Sequence, residues 1–176
     1  MEEENKDKLD NKKNVKESVS CDNNEKVKKI DAKSEKDMYD AVIERADSMD
    51  IIVKAAAVAD YRPKNVSSEK VKKQDGNMSI ELERTDDILK TLGERKNGQF
   101  ICGFSMETEN MLENSRKKLE KKNCDMIVAN NLKQDGAGFG GNTNIVTLIT
   151  KDDEVQLEKM TKDEVAEKIF DFILSR

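Results

Sequence analysis

Residues 50–63 read DIIVKAAAVADYRP. From Ile51 to Ala57 the run is apolar on both faces apart from Lys54, the pattern of a central strand in a parallel sheet covered from two sides. It then breaks into Asp60, Tyr61 and Arg62, and the lysines of SSEKVKK, residues 67–73, follow. Open α/β sheets bind ligands at the carboxyl ends of their strands, so a buried strand that ends in charge marks a candidate site.

Working outward, strand and helix signals alternate from residue 27 to the C-terminus. VKKIDA reads as a short strand, and Ser34-Glu35-Lys36-Asp37 as a capping-box start for a helix to about Met49. Val71–Gln74 and Met78–Glu83 flank Asp75-Gly76-Asn77, a hairpin signal in which Met78, Ile80 and Leu82 alternate with polar residues. Thr85 caps a helix over 86–96, and Phe100–Phe104 is a second buried strand. Thr108 opens a helix to about Lys122, Asp125–Ala129 is a third strand, and Ile145–Ile149 with Val155–Leu157 forms a terminal hairpin. Thr161-Lys162-Asp163-Glu164 is a capping box for a last helix with Val165, Ile169, Phe172 and Ile173 on one stripe. Strands alternating with helices of this length predict an α/β sandwich with a mostly parallel sheet. Asp60, Phe104 to Thr108, and Asn130 with Asn131 fall at its carboxyl edge.

Composition limits the chemistry. The 176 residues suit one domain, expected over 27–176, with hydrophobic residues at 35% and charged ones at 39%. Residues 1–26 hold eight acids, six lysines and five apolar residues without periodicity, which predicts a disordered charged tail. Neither a secretory h-region nor a membrane-length apolar run is present, and the expected location is the cytoplasm. Cys21, Cys102 and Cys124 lack metal spacing and read as reduced thiols, the latter two as core fillers. Histidine is absent, which removes every Ser-His and Cys-His mechanism. A net charge of -5 argues against general nucleic-acid binding, while 32 Lys and Arg leave room for a local basic site; no membrane partner is expected.

Residues 136–141, GAGFGG, match a dinucleotide fingerprint by letter but lead into a β-branched strand instead of opening a helix. A loop beside a site and a purely structural loop both remain open. Lys118 and Lys122 stand four apart and share a helix face, and Lys70, Lys72 and Lys73 follow the first strand. Each group by itself is equally a solvated surface; their convergence on the strand ends is what a triphosphate requires.

AAAVADYRP (55–63), EKVKK (69–73), TDDIL (85–89), GFSMET (103–108), KKLEKKNCDMIVAN (117–130) and GFGGNTNIVTLI (138–149), in this order, resemble bacterial phosphopantothenoylcysteine synthetase. That family is the phosphopantothenate–cysteine ligase half of the bifunctional coenzyme A biosynthesis flavoprotein, and the similarity runs from about Val27 onward. It implies a Rossmann-like three-layer α/β fold with a projecting β-hairpin and a homodimer. The implied reaction uses CTP with Mg²⁺ to convert 4′-phosphopantothenate to an acyl-cytidylate, from which cysteine displaces CMP. By motif, Asp60 resembles the nucleotide-contacting Asp and Lys70 the essential, catalytic Lys. Asp86, Asp87, Ile88 and Leu89, with Phe104, Lys118 and Lys122, resemble the remaining CTP contacts; no residue is assigned to Mg²⁺.

A carboxylate attacking the α-phosphate is already ionised at pH 7, so such a reaction needs no histidine base. The family's Gly-rich N-terminal segment, which holds phosphopantothenate, has no match in residues 1–24, and the flavin-binding decarboxylase half is unmatched as well. The expectation is a ligase module completed by another chain, with a catalytically incomplete nucleotide-binding or dimerisation remnant as the alternative. A neighbouring reading frame that encodes the Gly-rich segment separates the two. An RNA-binding reading lacks support, because aromatics are only 4% and are not interleaved with the lysines.

Overall fold

A computed structural model describes residues 17–22, 25–73, 75–107, 109–131 and 141–176. The chain runs through β1 (Glu17–Asp22), β2 (Glu25–Ile30), α1 (Glu35–Arg45), β3 (Ile51–Lys54), β4 (Tyr61–Pro63) and β5 (Leu82–Arg84). It continues through α2 (Ile88–Arg95), β6 (Phe100–Glu107), α3 (Met111–Lys121), β7 (Met126–Asn131), β8 (Thr143–Asn144) and β9 (Val146–Ile149). Strands β10 (Glu154–Gln156) and β11 (Met160–Thr161) precede the last helix, α4 (Lys162–Leu174).

The expected α/β sandwich is present. Strands β3, β6 and β7 pair in parallel, Ile51 opposite Phe100 and Cys102 opposite Met126, and β9 and β10 extend the β7 side antiparallel. Alternate side chains of the sheet feed two cores, as the period of a strand requires. Ile101 and Ile127 pack with Leu89 and Leu92 of α2 and Leu119 of α3, whereas Cys102, Met126 and Val128 pack with Val165, Ile169 and Ile173 of α4. Burying each of these three α4 side chains is worth about 1.5–3 kcal/mol. Thr161 starts α4 through the expected capping box, accepting from Glu164 N while the Glu164 carboxylate accepts from Thr161 N. Burial pushes the Cys102 thiol to about 12 and the Cys124 thiol to about 11, which suits fillers of a core.

Several expectations are corrected. The sequence predicts a tail through Lys26, but β1 and β2 form an antiparallel hairpin from Glu17, with Asp22 opposite Glu25. Helix α1 stops at Arg45 and passes into a 3₁₀ turn, Ala46–Ser48, short of Met49. Strand β3 ends at Lys54 and is the last strand of its sheet among the described residues, not a central one. The alanines that follow are exposed, and their single methyl groups bury little apolar area to hold the segment against the sheet.

The hairpin expected around Asp75-Gly76-Asn77 is replaced by pairing at the base of the excursion, Tyr61 opposite Arg84, with Lys64 N donating to Glu81 O at 3.0 Å. Met78 and Ile80 are exposed, so their alternation has no core to face. What fixes the paired ends is Arg62, which donates to Glu83 at 2.8 Å and to Glu35 of α1 at 2.6 Å. The cap of α2 is Asp87, accepting from Lys90 N at 2.9 Å, because Thr85 Oγ1 donates to Ala59 O instead. Thr108 and residues 136–140 of the Gly-rich loop lie outside the described residues.

One glycine sets how closely two helices meet. Gly93 of α2 lies against the end of α3, where a Cβ would sit 1.8 Å from the Lys122 carbonyl oxygen. Asn123, in the left-handed region at φ 50, ends α3 there and donates from its side chain to the Gly93 carbonyl at 2.9 Å.

Candidate functional site

Where β3 and β6 end, the helices α2 and α3 enclose a cleft of about 880 Å³. Each wall has a local cause. Lys54, the last residue of β3, and Val58 lie at the strand end, and Asp60 and Tyr61 form the rim beyond them. That rim is tied to the start of α2, since Asp60 O accepts from Thr85 N at 3.0 Å and Ala59 O from Thr85 Oγ1 at 2.6 Å. Asp86, Asp87, Ile88 and Leu89 present the N-terminal end of α2, where backbone amides and the helix dipole favour anions. Asn114, Lys117, Lys118, Lys121 and Lys122 line it from α3 at the spacing of one helix face.

Counted around the cleft, seven basic side chains meet four acidic ones in a chain whose net charge is -5. Lys118 Nζ donates to Phe104 O at 2.8 Å, fixing α3 to the end of β6. Lys122 pairs with Asp87. Burial raises the Asp87 carboxyl, but the Lys122 and Lys90 hydrogen bonds and the charges of Lys122 and Lys54 outweigh it, so it lies below the usual carboxylate range. Lys54 donates to Ala56 O at 2.7 Å. Its amine lies below the usual lysine range because of burial first and the Lys118 charge next, opposed by Asp87 and Asp60. At the mouth, Arg84 stacks on the Tyr61 ring, 5.8 Å from its centroid.

Asp60, Asp86, Asp87, Ile88, Leu89, Phe104, Lys118 and Lys122, all singled out in the sequence, are thus brought to one cleft. Phe104 also packs against the core on the α4 side, so its contribution includes the carbonyl that Lys118 engages. Lys70 does not line the cleft; it is exposed on the excursion between β4 and β5. Asn130 is buried, paired with Met106 and Val146, and does not line it either. Sequence reading missed Lys54, Arg84, Asn114, Lys117 and Lys121. Lys54 had a signal, as the one polar residue within an apolar strand. Lys117 and Lys121 share the four-residue spacing of Lys118 and Lys122, one position earlier and so about 100° around the same helix.

Comparison with known proteins places the chain in a family. Residues 13–176 match the family described as DNA/pantothenate metabolism flavoprotein C-terminal domain, a match that starts before Val27 and takes in the β1–β2 hairpin. The chain is 54% identical over 123 residues to the coenzyme A biosynthesis bifunctional protein CoaBC of Bacillus subtilis (strain 168), covering 70% of this chain and 30% of that protein. It is 43% identical over 148 residues to a cysteine/cysteine sulfinic acid decarboxylase of an unknown prokaryotic organism, covering 83% and 41%. The chain therefore spans well under half the length of these curated relatives. A crystal structure of the C-terminal domain of a coenzyme A biosynthesis bifunctional protein CoaBC superposes with a TM-score of 0.63 at 45% identity, covering 78% of this chain and 60% of that one. The chain belongs to the DNA/pantothenate metabolism flavoprotein C-terminal domain family, as a phosphopantothenoylcysteine synthetase-like domain.

Proposed function

We propose that this chain is the nucleotide-activating part of a coenzyme A biosynthesis ligase that joins 4′-phosphopantothenate to cysteine with CTP. The observation that carries the reading is the excess of basic side chains in a cleft that also holds the N-terminal end of α2. In this reaction a carboxylate oxygen of phosphopantothenate attacks the α-phosphorus of CTP and pyrophosphate leaves. The cysteine amine then attacks the acyl carbon, CMP leaves, and the proton shed by the amine passes to solvent. The α3 lysines neutralise the polyphosphate, the α2 amides orient it, and Phe104 with the Asp60 rim bounds the nucleoside. Catalysis is then positioning and charge stabilisation, with no step that calls for histidine.

Mg²⁺ fits the oxygen donors of the cleft. Among the described residues no cluster of three or more His, Cys, Asp or Glu forms a protein cage. Magnesium commonly takes one or two carboxylates and draws its other ligands from phosphates and water. Of the cleft carboxylates Asp87 is held by Lys122, Asp86 lies 3.9 Å from Lys36 Nζ and Glu94 3.6 Å from Lys90 Nζ, which makes Asp60 and Asp86, at the rim and the start of α2, the candidates to hold such an ion. When bound, the ion supplies neutralisation of the triphosphate charge.

One observation favours the second reading, a nucleotide-binding or dimerisation module without turnover: Lys70 stands outside the cleft. Titrating the purified chain with CTP, ATP and GTP in Mg²⁺ tests the first half. Pyrophosphate release is then followed with phosphopantothenate and a companion fragment bearing the family's Gly-rich segment. Preferred binding of CTP with pyrophosphate release supports the ligase; CTP binding without release in the mixture supports the nucleotide-binding module, and no nucleotide binding sinks both and leaves only a dimerisation module.

A further inference from the structure

Lys54 is the basic residue that the strand end itself brings to the cleft, and the motif pattern leaves it without a role. It is the last residue of β3, half-buried, and its side chain is on the α2 side of the sheet, since Ile52, two residues earlier, packs into the α2 and α3 core. Its ammonium donates to Ala56 O, two residues on in the same chain. The charged groups around it come from every wall: Asp60 from the rim, Asp87 from the start of α2, and Lys118 and Lys122 from α3. Lys122 is committed to Asp87 and Lys118 to the Phe104 carbonyl, so two of the three ammonium groups brace the cleft walls.

We propose that Lys54 is a polyphosphate-binding residue at the strand end of the cleft, acting together with Lys118 and Lys122, an assignment that rests on the nucleotide reading of the cleft. A lysine amine has three donors, and the bond to Ala56 uses one of them. A clamp for the 55–59 segment is the rival role, and the energetics separate the two. Holding an ammonium half-buried beside Lys118 disfavours its charged form in the empty protein, as the lowered position of its amine records. A group that costs stability while the site is empty repays that cost only when an anion arrives.

Stability and affinity should therefore move in opposite directions. Lys54→Met, Lys54→Gln and Lys54→Arg are compared with the native chain by calorimetry with CTP, CMP and inorganic tripolyphosphate in Mg²⁺, and by thermal unfolding without ligand. Loss of one charge-assisted contact weakens CTP and tripolyphosphate by roughly 10- to 100-fold. CMP loses less, Lys54→Arg retains most of the affinity, and the ligand-free melting temperatures of Lys54→Met and Lys54→Gln stay level or rise. Neutral variants that bind CTP and tripolyphosphate like the native chain, or that lose stability with affinity intact, overturn the assignment and leave the nucleotide reading standing. A native chain that binds neither probe overturns that reading, and this assignment with it.

Discussion

Lys122, at the C-terminal end of α3, forms an ion pair with Asp87, the N-cap of α2, and so joins the two helices that wall the cleft. The Lys122 side chain is 15% exposed and that of Asp87 45%, so the pair is sheltered on the lysine side and wet on the other.

Lys118→Ala and Lys122→Ala should each weaken CTP by about 1.5–3 kcal/mol, roughly 10- to 150-fold. CMP, with fewer phosphates, should lose less. Isothermal titration decides it, and unchanged CTP affinity in both variants would reduce the α3 face to a solvated surface.

Asp87 should reveal two separable contributions to stability. Asp87→Ala removes both cap and pair and should cost about 0.5–2 kcal/mol, while Asp87→Asn keeps a capping oxygen and should cost less. Because the folded protein holds this carboxyl below its ordinary value, the pair stabilises above the unfolded-state pKa and its contribution is lost as pH falls through the folded one. Native protein and Asp87→Asn should converge in urea midpoints toward acid; a gap that persists there would assign the difference to something other than the carboxylate charge.

Gly93→Ala should destabilise, against the usual gain from replacing a helical glycine. The added Cβ meets the Lys122 carbonyl at 1.8 Å, backbone that cannot rotate aside, and overpacking of this kind costs about 1–3 kcal/mol. Urea denaturation of the variant measures it.

Lys70→Gln should retain much of the CTP affinity yet slow acyl-cytidylate formation, since Lys70 lies outside the empty cleft and would meet charge only as it develops. Pyrophosphate release in the presence of the companion fragment reads this directly. A Lys70→Gln mixture as fast as the native one removes the residue from the mechanism.

The excursion between β4 and β5 should cover its apolar residues with a second copy of the chain. Val66, Val71, Met78, Ile80 and Leu82 are between 55% and 84% exposed, and a short two-stranded ribbon is marginal without cover. Light scattering at high micromolar concentration should give the mass of a dimer, and a monomer there would count against the ribbon as an interface.

The sequence was legible where one physical rule acted alone. Thr161 and Glu164 are a capping box in letters and in space, and the alternation of Met126, Ile127 and Val128 between two cores follows from strand period. It misled where a side chain had two partners to choose from. Thr85 has the chemistry of an N-cap, but the Ala59 carbonyl is within its reach and Asp87 takes the helix. The Asp75-Gly76-Asn77 signal is local, whereas the observed pairing is decided at the ribbon base by Arg62, whose partners Glu35 and Glu83 lie far away in sequence. Lys54 stayed hidden because a lysine in an apolar run shows neither which face it takes nor which cations gather around it.

Gly93 gives the cleft a property that no lysine supplies. Where Gly93 faces the Lys122 carbonyl the contact is main chain against main chain, with no rotamers through which it could relax, and the Asn123 side chain closes it by donating to the Gly93 carbonyl. A side chain at this single position pushes apart the same walls that the Lys122–Asp87 pair draws together. The protein's caliper is a missing methyl group beside Lys122, itself a residue of the cleft, and substitutions that retune the width of the cleft are to be sought there as well as among its lining side chains.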